Sequence, residues 1–140
     1  MDNEAGKTAL SESPRAARAL WKPYAIGLAG WLVPGLGHLV LRKLDRALVF
    51  FFSILAMAGL GLAMGGRLFD WDPHNFFHLL GLLADLGAGL FFFGAKLVGL
   101  GSGDLSRALG DYGTTFFLTA GLLNLLTALD AYDIAVGKKE

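Results

Sequence analysis

Four polar side chains stand within the most apolar parts of this 140-residue chain. Asp85 is the only charged residue of the apolar stretch 76–95, and Asn124 lies near the middle of another, 114–132. His38 and Asp130 sit nearer the ends of their stretches. An ionisable or amide group at bilayer depth is costly, so each is a candidate site. A carboxyl and an imidazole exchange protons, and carboxylate and amide oxygens ligate cations. His38, Asp85, Asn124 and Asp130 therefore form a candidate intramembrane polar site. The competing reading is architectural: the carboxyl or amide bonds a neighbouring helix and fixes packing. Asn124 suits Asp85 or His38 as a partner, at about 0.6 kcal/mol for such a bond in membranes. Asp130 and Asp133, at a helix end, can reach water.

A second cluster reads Asp70-x-Asp72-x-His74-x-x-x-His78. Two His at i and i+4 share a helix face, and nearby carboxylates would complete a metal shell. Pro73 adjoins His74 and no second cluster supports it, so the segment reads as interfacial, anchored by Trp71, Phe76 and Phe77. No metal and no cofactor are expected. Phosphate-loop, HExxH and GxSxG motifs are absent, and Ser53 is the only serine inside the apolar stretches. The run Gly99-Leu-Gly101-Ser-Gly103 is a loop, with Ser102 and Asp104 placed to cap one helical turn after it. These residues offer no catalytic constellation, and the chain is expected not to be an enzyme.

The elements that position these side chains are four apolar stretches, 24–41, 47–64, 76–95 and 114–132. Each has the length of a membrane-spanning helix, about 17–25 residues. Backbone groups in lipid must bond internally, so all four read as helices. The expected fold is all-α, a polytopic membrane helical bundle of four hydrophobic segments in two hairpins. A flexible polar tail covers 1–23, the membrane domain 24–135 and a short polar tail 136–140. Composition agrees: 54% hydrophobic and 17% charged, against about 45–50% and 25% in soluble domains. Zero net charge gives no footprint for nucleic acid. No cysteine means no disulfide and no thiolate metal site. Trp21, Tyr24, Trp71, Tyr112 and Tyr132 fall where an interfacial aromatic belt is expected. The first stretch is too long for a cleaved signal peptide and lacks the small-residue site after it.

Small residues mark where helices should meet. Pro34, Gly35, Gly37 and His38 form a kinked, close-packing motif in the first stretch. Gly81, Asp85 and Gly89 are spaced by four on one face of the third, with Leu79, Leu83, Leu86 and Leu90 opposite for lipid. Lys96 lies about 16 Å further along that axis, too far for an ion pair with Asp85, and should snorkel to the interface. In the last stretch Phe117, Ala120, Gly121, Thr127, Ala128 and Ala131 share a face with Asn124, and leucines occupy the other. The expected partners are the lipid bilayer and other membrane proteins or a second copy.

With four spans, both tails and the middle loop share one side, carrying seven Lys and Arg against five at most. The positive-inside rule then puts both termini in the cytoplasm, with the chain in the cell (inner) membrane. An alternative has 24–41 re-entrant, folding back at Pro34-Gly35-Leu36-Gly37. That makes the bias nine against three and parts the termini.

The segment WLVPGLGHLVLRKLDRALVFF resembles the opening signature of a family of small, uncharacterised bacterial multi-pass membrane proteins. The segment running from Ala120 through Asn124, Asp130 and Asp133 to Ala135 is similar to that family's closing signature. The front hairpin distantly resembles the two-transmembrane-helix domain, whose His is followed by Tyr-Leu-Gly where this chain has Val40-Leu41-Arg42. The two signatures cover about 60 residues of the chain. The family is a domain of unknown function, so the resemblance implies a membrane location and a compact helical fold, and no reaction. The expected role is a non-catalytic scaffold, assembly factor or accessory subunit. The alternative is a small proton- or cation-coupled transporter or channel using Asp85.

Overall fold

The structure, a computed structural model, describes residues 14–103 and 107–139. The cap expected at Asp104 and the tail ahead of Pro14 lie outside them. Among the described residues six helices follow in order: α1 Pro14–Leu32, α2 Leu36–Val40, α3 Leu44–Ala63, α4 Phe76–Gly87, α5 Leu90–Leu97 and α6 Ala108–Val136. The described residues form no extended strand, and an isolated bridge joins Arg67 to Ser102. α3 and α6 are long and apolar enough to cross a membrane. α4 and α5 pass the same test only as a pair, bent by 104°.

α6 is the axis around which the rest is arranged. Gly110, Gly113, Phe117, Ala120, Gly121, Asn124, Thr127, Ala128 and Ala131 are buried, while Leu122, Leu126 and Leu129 stay exposed. The small residues let backbones approach closely. A Cβ on Gly61 of α3 would lie 2.7 Å from the Gly113 carbonyl. A Cβ on Gly121 would strike the Ala84 carbonyl of α4. Ile54, Ala58, Phe92, Ala95, Phe117 and Ala120 fill the centre between α3, α5 and α6.

Two of the four expected continuous helices are broken. Residues 24–41 are not one helix: α1 stops at Leu32, and the chain turns through Pro34 and Gly35 into α2. Proline removes a donor and clashes with the preceding turn, and Gly35 adopts φ 79°, a left-handed value that glycine takes without strain. α2 then folds back along α1, with Gly37 beside Gly30 and Ile26. α1 also starts ten residues earlier than the apolar stretch, so residues 14–23 are helix and not flexible tail. Residues 76–95 break at Ala88 and Gly89, where Gly89 has φ 59° and ψ −126°. This backbone is open to glycine alone among the residues.

Each broken pair is a hairpin that enters and leaves the same end of the bundle. At one end the Tyr24 ring, in α1, lies 5.3 Å from that of Tyr132, and His38 of α2 reaches Asp130. At the other end Asp70, ahead of α4, pairs with Lys96 near the end of α5, and the Leu68 amide donates to the Gly101 carbonyl at 2.9 Å. The tips of the two hairpins meet at the middle of α6.

Candidate functional site

Asn124 occupies the point where the tips meet, and it is fully buried. Its Nδ2 donates to the Trp31 carbonyl at 2.7 Å and to the Gly87 carbonyl at 2.9 Å. Trp31 and Gly87 end, or nearly end, α1 and α4. The last carbonyls of a helix have no partner within it. Asn124 therefore supplies both ends from one amide. Trp31 adds a third bond, its Nε1 donating to the Leu86 carbonyl at 2.9 Å. Gly89 leaves room for this meeting, since a Cβ there would strike the Trp31 carbonyl.

Asp85 is also fully buried, one turn before the tip of α4. Its Oδ2 accepts from the Phe69 amide at 2.6 Å. Phe69 belongs to the strand-like connection after α3, whose other amides are met by Gly61, Thr114 and Gly101. Thr114 Oγ1 accepts from the Arg67 amide at 2.8 Å and donates to the Gly110 carbonyl. Asp85 thus secures a connection and not a helix. Its Oδ1 has no hydrogen-bond partner among the described residues. Gly81, expected against a helix, packs under the Phe69 ring instead.

His38 and Asp130 form a separate centre near the end that holds Tyr132. His38 is buried, and its Nε2 lies 3.1 Å from Asp130 Oδ2. Asp130 Oδ1 accepts from Lys139 Nζ at 2.9 Å. The Asp130 carboxylate holds the Lys139 ammonium above its ordinary range. His38 also packs its ring 5.0 Å from that of Phe50.

The four residues grouped from the sequence therefore divide into three places. His38 pairs with Asp130, Asp85 with the Phe69 amide, and Asn124 with two backbone carbonyls; none of them bonds Asp85 to Asn124 or His38 to Asn124. Of the packing motif, Pro34 and Gly35 make the first turn, Gly37 sits against Ala131, Gly121 against α4, and Gly89 marks the break. Lys96 does not simply reach for water: the bend brings it back to Asp70. Trp31, Thr114 and Lys139 were not singled out in advance. Trp31 opens the WLVPGLGH segment, and nothing in its spacing signals a bond to the α4 carbonyl. In the Asp70–His78 cluster, Asp72 lies 3.7 Å from His74 Nδ1 and 3.9 Å from His78 Nδ1. No group of three metal-ligating side chains converges among the described residues.

No curated protein and no solved structure matches the chain. A family model described as a family of unknown function, DUF6677, matches residues 25–140. That range takes in the tips of both hairpins, both long helices and all four polar residues, and the chain belongs to this family.

Proposed function

We propose that the chain is an integral protein of the cell membrane that acts as a non-catalytic scaffold or accessory subunit of a membrane complex. One observation carries this reading. Three of the buried polar side chains are spent on the protein's own backbone, with Asn124 holding two helix ends while Asp85 and Thr114 hold one connection. Such bonds fix a shape; they do not hold out reactive groups. The leucine face of α6 and the exposed side of α3 are left for lipid or another protein.

In this reading α3 and α6 span, the α1–α2 hairpin dips in from the side of the termini, and the α4–α5 hairpin dips in from the opposite side. Irregular backbone at the two tips is tolerated because protein covers it. Lys7, Arg15, Arg18, Lys22, Arg42, Lys43, Arg46, Lys138 and Lys139 then share a side, against Arg67, Lys96 and Arg107. Nine against three favours that side as cytoplasmic.

A second reading, proton or cation coupling, is favoured by the unpartnered Oδ1 of Asp85. Purification from native membrane in mild detergent separates the two. The scaffold reading expects a stoichiometric partner that Asp85→Asn retains. A protein that purifies alone, and whose acid-driven flux in vesicles disappears with Asp85→Asn, would replace it with the second.

A further inference from the structure

The two ends of the bundle carry unequal charge. At the end that holds Tyr132, Lys22, Arg42, Lys43, Arg46, Lys138 and Lys139 stand against Asp45, Asp130 and Asp133 among the described residues. At the other end Arg67, Lys96 and Arg107 are matched by Asp70, Asp72 and Asp111. The excess concentrates in the turn between α2 and α3, which carries Arg42, Lys43 and, in the first turn of α3, Arg46. Arg42 and Arg46 are exposed and Lys43 is half-buried. None of the three makes an ion pair among the described residues.

The same turn holds Arg42 at φ 60°, and no other residue with a side chain has a positive φ among the described residues. The left-handed conformation presses Cβ towards the carbonyl that follows, a crowding glycine does not have. Arginine at this position is therefore worse for the turn than glycine, and its guanidinium finds no carboxylate in the fold to offset that cost. In the membrane reading the turn lies at headgroup level, because α2 returns to the end from which α1 enters. The anions at that level are lipid phosphates. We propose that the α2–α3 turn docks on anionic phospholipid headgroups, with Arg42, Lys43 and Arg46 paired to their phosphates, and that this contact anchors the α1–α2 hairpin at the membrane surface.

The discrimination follows from net charge. The turn sets three cations against one carboxylate, Asp45. A zwitterionic headgroup brings its own cation and cancels little of that excess, whereas a headgroup of net negative charge cancels it. Attraction of a basic segment to an anionic leaflet accumulates with each Lys or Arg and fades beyond the screening length. No shaped pocket is needed, so the turn selects charge and not headgroup structure. The inference rests on the membrane reading above.

The test is the lipid that the full chain retains through size-exclusion chromatography in uncharged detergent, from an equal mixture of phosphatidylglycerol and phosphatidylcholine, quantified by mass spectrometry. Phosphatidylglycerol should be retained preferentially. Running the column at about 1 M salt, where the screening length falls to about 3 Å, should remove the preference. Arg42→Gln, Lys43→Gln and Arg46→Gln should each lower it about fivefold, and Arg67→Gln at the opposite end should leave it unchanged. Arg42→Gly separates the residue's two effects: it should raise the melting temperature in detergent alone by releasing the left-handed strain, yet lower the preference as Arg42→Gln does. Equal retention of the two lipids, a preference that survives all three substitutions, displacement of the lipid by inorganic phosphate at constant ionic strength, or a lower melting temperature for Arg42→Gly overturns the proposal while leaving the membrane reading intact. A protein that stays folded and monomeric in buffer without detergent overturns both.

Discussion

Replacing Asn124 by Leu removes both donors that close the helix ends at Trp31 and Gly87. The side chains are similar in size, so the loss is polar and not steric. Two buried carbonyls left without a donor should destabilise the fold by about 1–3 kcal/mol, read from thermal unfolding in detergent. Asp85 behaves differently. Asp85→Asn keeps an oxygen for the Phe69 amide and should cost under about 1 kcal/mol, whereas Asp85→Leu leaves that amide without an acceptor and should cost about 1–3 kcal/mol. Equal losses for the two variants would show that the Phe69 bond is not what Asp85 contributes. The sequence makes both residues conspicuous, since a lone acid or amide in an apolar run stands out on type. Their partners are main-chain groups, which carry no residue-type signal. For this reason Asn124 reads as a partner of Asp85 or His38, when it bonds carbonyls of Trp31 and Gly87.

Among the helices, α3 and α6 are legible from hydropathy: 47–64 and 114–132 fall within or beside Leu44–Ala63 and Ala108–Val136. The broken pairs are not, because hydropathy averages over a turn made of apolar residues. Pro34 and Gly35 signal the first break by backbone chemistry. Gly89 gives a weaker signal, since its spacing from Gly81 and Asp85 also suits the face of an unbroken helix. The two arrangements predict opposite signs for Gly89→Ala. In an uninterrupted helix, alanine would stabilise by roughly 0.5–1 kcal/mol. At φ 59° against the Trp31 carbonyl it should instead destabilise by at least about 1–3 kcal/mol. A rise in melting temperature would restore the continuous helix. Gly121→Ala should act in the same direction by pushing α4 away from α6, where a Cβ meets the Ala84 carbonyl.

For the whole molecule, the two hairpins decide which loops share a side. The chain has no cysteine, so each introduced cysteine is its only thiol. Single cysteines at Asp45, Trp71, Val98 and Lys138, all exposed, can be labelled with an impermeant maleimide in oriented membranes. The hairpin arrangement pairs Asp45 with Lys138 and Trp71 with Val98. Four continuous spans would pair Trp71 with Lys138 and Asp45 with Val98. The charge count also shows why orientation is hard to read from sequence. One re-entrant segment separates the termini, and a second brings them together again, yet each version gives nine against three.

The single amide that closes both hairpins also sets an order of events. α1 and α4 both precede α6 in the chain, yet the Trp31 and Gly87 carbonyls near their ends find their donor on α6. The donor is therefore made last, and neither bond can form before residue 124 has been synthesised.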